Sequence, residues 1–160
     1  MTPIEVVQNL MQEIGPHLQL AEVTEFTEAA HWILIVNDDT VVYASYDSEV
    51  DQLVLSADVA TPPTEHLFNL YERLLQFNDQ WHETGGLRFS IDAPEGMVCQ
   101  ILSLPMSATD LHKLAIVFTN FIEQLRLWRD MILEGPPKEA DETAESNDAA
   151  SMPVSGMVRV

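Results

Sequence analysis

The strongest constraint on this chain is an apolar seam in its last third. Leu111, Leu114, Phe118, Phe121, Leu125, Trp128 and Ile132 recur at spacings of 3, 4, 3, 4, 3 and 4. That period predicts one long helix, starting at Ser107 or Thr109 and running to about Leu133, with one face on a core or a short coiled-coil seam. Gly135-Pro136-Pro137 breaks it. At roughly 1.5 Å per residue the helix spans about 40 Å, long for so small a domain. Whatever folds here must supply a broad apolar surface for that seam.

The rest of the chain offers such a surface. Residues 3 to 14 read as an amphipathic helix with Thr2 as cap, Pro3 in the first turn, and Val6, Val7, Leu10, Met11 and Ile14 as its stripe. Gly15-Pro16 reads as its stop. Residues 31 to 57 read as three short strands centred on 31–36, 41–46 and 53–55, with acidic turns between them. The first, His31-Trp32-Ile33-Leu34-Ile35-Val36, is apolar on both faces and asks for cover on both. A second helix is expected to open at Thr61-Pro62-Pro63-Thr64-Glu65 and end near Thr84, before Gly85-Gly86. A hairpin follows: Leu87 to Asp92, a turn at Ala93-Pro94-Glu95-Gly96, then Met97 to Leu104. The fold class is therefore α+β: helix, three strands, helix, β-hairpin, long helix, with an antiparallel twisted sheet under the helices.

Charge narrows what such a fold can do. The 160 residues carry 26 acids and 7 bases, a formal net charge of −19. Residues 134–160 hold six of the acids and two of the bases, which leaves 20 acids and 5 bases, net −15, on residues 1–133. The domain is expected to span 1–133 and an acidic disordered tail 134–160. This balance argues against binding nucleic acid or an anionic membrane, both of which need clustered Lys and Arg. It suits a basic or amphipathic partner. A lone cysteine, Cys99, rules out an internal disulfide. No secretory pattern and no run of about 20 apolar residues is present. The expected location is the cytoplasm.

Catalytic and metal motifs are not evident. His17, His31, His66, His82 and His112 fall in neither HxxxH nor HExxH spacing. Cys99 sits in a strand with no Lys, Arg or His beside it in sequence, as a buried structural cysteine would. The acidic turns lack the spacing of a calcium loop, and the glycines form neither a P-loop nor a dinucleotide fingerprint. The expectation is a binding protein without cofactor or metal, and not an enzyme.

Residues 64 to 105 sharpen that expectation. Leu74-Leu75-Gln76-Phe77-Asn78, Trp81, Thr84-Gly85-Gly86, Leu87-Arg88-Phe89-Ser90-Ile91-Asp92, Pro94-Glu95-Gly96 and Leu102-Ser103-Leu104-Pro105 resemble the second helix, glycine turn and hairpin of the class I chaperones of bacterial type III secretion, the Tir-chaperone-like family. The long last helix with Trp128-Arg129 and the low isoelectric point also fit, so the resemblance covers roughly residues 3 to 133. It implies a homodimer in the bacterial cytoplasm that binds the unfolded N-terminal region of one or more secreted effectors and keeps them export-competent. It makes the type III export ATPase a partner to test. It places the dimer contact on Leu70, Leu74, Phe77, Trp81, Leu87, Phe89 and Ile91. Effector contacts are expected on Val6, Leu10, Trp32, Leu34 and Val36. The competing reading is an acidic adaptor or nucleic-acid mimic holding a basic protein, whose binding would weaken steeply with salt.

Overall fold

The computed structural model describes residues 1–135. The expected tail beyond Gly135 lies outside the described residues. The elements are α1 (Pro3–Leu18), β1 (Glu22–Phe26), β2 (His31–Asn37), β3 (Thr40–Asp47), β4 (Gln52–Ala60), α2 (Leu67–Asp79), β5 (Arg88–Asp92), β6 (Met97–Pro105) and α3 (Leu111–Glu134). All six strands form one antiparallel sheet in the order β1-β2-β3-β4-β6-β5.

Four sequence expectations need correction, the last of them the start of α3. A strand, β1, precedes the three expected over residues 31 to 57. The first helix does not stop at Gly15-Pro16 but runs through both to Leu18. It accommodates Pro16 near its end: the missing N–H forfeits one intrahelical bond, but little helix follows for a kink to redirect. Gln19 then turns left-handed, and the Leu20 N–H reaches back 2.9 Å to the Gly15 carbonyl, closing the helix in a Schellman-type end. The second helix is shorter than expected: it starts at Leu67 and ends at Asp79. A run of turns fills residues 80–86. It is closed by the Gly86 N–H on the Trp81 carbonyl at 3.2 Å and by positive φ at both Gly85 and Gly86.

Helix starts follow capping chemistry. Thr2 and Glu5 form a capping box: the Glu5 N–H donates to Thr2 Oγ1 and the Thr2 N–H to Glu5 Oε2. Asp110, rather than the expected Ser107 or Thr109, starts α3: its Oδ1 accepts from the Lys113 N–H at 2.8 Å.

Period-2 alternation divides the sheet into two unlike faces. Trp32, Leu34, Val42, Ala44, Leu53, Leu55, Ala57, Val98, Leu102 and Leu104 are buried on one. That face receives the helices. The α3 seam closes over it with Leu114, Phe118, Phe121, Leu125, Trp128 and Ile132, all buried. Buried Gln100 donates from Nε2 to the Phe121 carbonyl at 2.8 Å, fixing α3 to β6. Next to α3, α1 packs through Val7, Met11 and Ile14. At the far edge Phe77 of α2 meets Phe89 and Trp128 edge-on, each with ring centroids 5.2 Å apart.

Candidate functional site

The other face of the sheet is the unusual one. It presents Ile33 and Ile35 of β2, Val41 and Tyr43 of β3, Val54 of β4 and Ile101 of β6, all half-buried by their strand neighbours. The register brings them together: Ile33 pairs with Tyr43, Ile35 with Val41, and Ser56, which pairs with Tyr43, also pairs with Ile101. Among the described residues, the helices all gather on the opposite face. The result is a contiguous apolar strip on the outside of a very acidic molecule, the kind of patch that marks an interaction site. At its corner Phe26, 47% exposed, and Tyr43 flank His31 with ring centroids 6.1 and 6.2 Å away.

Beside this face lies a free edge. β1 pairs only with β2, so its outer backbone groups can accept another strand. Above it, the end of α1 and β1 enclose a cleft of about 480 Å³. Met11, Gly15, Val23 and Trp32 line its apolar part, and Gln12, Gln19, Glu22 and Glu25 its polar part. The indole N–H of Trp32 is buried without an acceptor, an omission that costs on the order of 1–3 kcal/mol.

A third surface is the outer side of α2. Phe68 and Leu75, one heptad apart, are 79% and 69% exposed, and Trp81 and Ile91 lie beyond them, also exposed.

The structure sorts the residues singled out from sequence. Of the expected dimer contacts, Trp81 and Ile91 are exposed, Leu70 is half-buried, and Leu74, Phe77, Leu87 and Phe89 are buried in the chain's own core. Of the expected effector contacts, Val6 is exposed and Leu10 half-buried on α1. Trp32 and Leu34 lie under the helices. Val36 sits at a register shift between Ile35 and Asn37. Sequence reasoning passed over Ile33, Ile35 and Tyr43. The signal that could have found them is polar: Ser45, Ser56 and Ser103 share the bare face with them, whereas the helix-covered face of β2, β3 and β4 carries almost no small polar residue.

Reactive chemistry is muted. Burial, then a hydrogen bond to Asp58, then the charges of Asp58 and Asp92 push the Cys99 thiol up to about 11. It is therefore an uncharged thiol at neutral pH and a poor nucleophile. No cluster of three or more His, Cys, Asp or Glu residues suited to a metal ion occurs among the described residues. No described helix is long and apolar enough to cross a membrane.

A sheet sheltered by helices on one side and left apolar on the other, with an open edge, defines a protein built to hold another chain. Residues 9–129 match the Tir chaperone protein (CesT) family, and the chain belongs to that family. No curated protein matches it. Among solved structures, a chain of the ExsC–ExsE complex superposes with a TM-score of 0.72 at 19% identity, over 85% of this chain and 100% of that one. A chain of the HopA1–SchA chaperone–effector complex gives 0.66 at 16% identity, over 79% and 95%. A chain from the Yersinia pestis type III secretion chaperone SycH, in complex with a stable fragment of YscM2, gives 0.57 at 21% identity, over 73% and 94%. The α+β fold expected from the sequence is thus shared with type III secretion chaperones.

Proposed function

We propose that this protein is a cytoplasmic type III secretion chaperone that binds the unfolded N-terminal region of one or more effectors and keeps them soluble for export. The bare apolar face of the sheet carries this reading. An extended client satisfies its backbone by joining the free β1 edge and buries apolar side chains or a short amphipathic helix on the strip around Ile33, Ile35 and Tyr43. Ordering an unfolded client is costly, so a wide surface is needed. Two copies double that surface. We place the dimer contact on the outer side of α2 and the β5 edge, through Phe68, Leu75, Trp81 and Ile91. The neighbouring Leu74, Phe77, Leu87 and Phe89 support it from beneath. On α1, Val6 and Leu10 extend the client surface. The export ATPase remains a partner to test once a client is in hand.

Adjacent residues of β2 test the reading. The chain is co-expressed with a type III system, its client identified, and the client's first hundred or so residues used for binding. Ile33→Asp, on the bare face, keeps the fold and loses the client. Leu34→Asp, on the covered face, loses the fold. A folded Ile33→Asp variant that still holds its client sinks the assignment. Leu75→Asp gives a folded monomer if the dimer lies on α2. Client binding that persists at high salt separates this reading from a charge-driven acidic adaptor, which the apolar character of the face does not favour.

A further inference from the structure

The cleft between α1 and β1 differs from the bare face in carrying charge at its rim. Its polar side has two carboxylates, Glu22 and Glu25, three residues apart on the edge strand. Each is held by a neutral donor on one oxygen. Thr24 Oγ1 donates to Glu22 Oε1 at 2.7 Å, and Gln8 Nε2 donates to Glu25 Oε1 at 2.8 Å. The second oxygen of each carboxylate is not used by these bonds. Strand alternation sends Glu22 to the bare face, beside Ile35, and Glu25 to the helix-covered face, beside Trp32. A strand laid along β1 would therefore meet a carboxylate on each of its two sides.

Between and below them the cleft is apolar. Gly15 has no side chain, and α1 comes so close that a Cβ there would lie 2.9 Å from Val23 Cγ2. Met11 and Trp32, each 1% exposed, complete the apolar wall.

We propose that this cleft selects client segments in which an apolar side chain is flanked by lysine or arginine, with Glu22 and Glu25 as the residues that read the flanking charge. The inference rests on the chaperone reading and gives that function a sequence preference. The apolar side chain enters over Met11 and Val23. The basic side chains pair with the two carboxylates at the rim.

Two synthetic twelve-residue peptides with identical apolar residues test this, one with lysine and one with glutamate at two positions three residues apart, so that the pair falls on the two faces as Glu22 and Glu25 do. Their affinities for the full chain are measured by fluorescence anisotropy at low salt. The lysine peptide is expected to bind about tenfold tighter, since two rim ion pairs each contribute a factor of a few. The double variant Glu22→Lys and Glu25→Lys reverses the preference. Glu83→Lys with Glu95→Lys, the same change in net charge away from the cleft, leaves it in place. Gln12→Trp, an exposed position filling the cleft, weakens the lysine peptide without altering charge. The proposal is overturned if neither peptide binds, if both double variants shift the preference equally, or if Gln12→Trp has no effect. An identified client that binds the Glu22/Glu25 variant as well as the natural chain removes the charge reading and leaves the chaperone reading standing. Failure to recover any client removes the chaperone reading, while the peptide preference is still read directly.

Discussion

At the scale of single residues, Arg129 does the most joining. The register of β4 against β6 shifts between Asp58 and Ala60, and such a bulge leaves backbone groups outside the ladder. Arg129 Nε donates to the Val59 carbonyl at 2.8 Å and Nη2 to the Asp58 carbonyl at 3.2 Å. Its Nη1 reaches the Asp39 carbonyl at 3.1 Å, in the turn between β2 and β3. One guanidinium thus ties the end of α3 to two separate parts of the sheet. Arg129→Ala is expected to lower stability by about 2–3 kcal/mol, seen as a lower urea midpoint with unchanged slope. Arg129→Lys recovers little of it, because three donors on a single nitrogen lack the spread of a guanidinium whose three nitrogens each reach a different carbonyl. Cys99 makes a prediction in pH. Its thiol is raised from 9.0 to about 11, so between these values the unfolded chain has released a proton that the folded chain still holds. The stability it contributes is complete below about pH 9 and is lost as pH rises towards 11. Alkylation of the folded protein should be slow at pH 8 and accelerate only towards pH 11. Asp58→Ala, which removes the hydrogen-bond acceptor and its charge, should bring that acceleration to lower pH.

At the scale of elements, α1 and β1 depend on one close contact. Alanine at Gly15 would gain about 1 kcal/mol of helix propensity, but its Cβ would stand 2.9 Å from Val23 Cγ2, and such overpacking costs about 1–3 kcal/mol. Gly15→Ala is therefore expected to be net destabilising. Combining it with Val23→Ala should recover part of the loss, a non-additivity measurable by denaturant melts of the four variants. The same contact explains what the sequence hid. Glycine followed by proline reads as a helix stop, yet Gly15 is there for close approach and Pro16 lies so near the helix end that little is left to break. β1 escaped notice because Glu22 and Glu25 interrupt its short alternation, and glutamate is a poor strand former. By contrast, α3 was legible at once, since seven apolar residues at helical spacing admit one arrangement, and six of them are buried. The hairpin was legible from its turn. The faces of β2 were not, because Trp32-Ile33-Leu34-Ile35 is apolar in both registers. Only the serines on the neighbouring strands distinguish the bare side. For the same reason the outer α2 residues Phe68 and Leu75 could not be separated from the buried Leu74 and Phe77 by hydrophobicity alone.

At the scale of the whole molecule, two features oppose each other. The bare strip favours association with any apolar surface, including that of a second copy. The net charge of −19 opposes it and also pushes the folded chain apart from within. Both electrostatic effects are long-ranged: the screening length is about 30 Å at 0.01 M salt, comparable to the molecule, and about 8 Å at 0.15 M. Raising sodium chloride across that range should therefore raise Tm by a few degrees, because internal repulsion is screened while apolar burial is unchanged. It should also let the bare faces meet, giving species larger than the low-salt form in sedimentation velocity. The two responses have different origins and can be separated. Ile33→Asp should abolish the salt-induced association and keep the rise in Tm, since it removes apolar surface but not the general repulsion. If salt leaves the association state of the natural chain unchanged, charge is not what keeps the bare faces apart. If Ile33→Asp still associates, the faces that meet are not those of the sheet. A client covering the strip should have the same effect as the aspartate, so that the acidity keeps an empty chaperone dispersed until its apolar face is occupied.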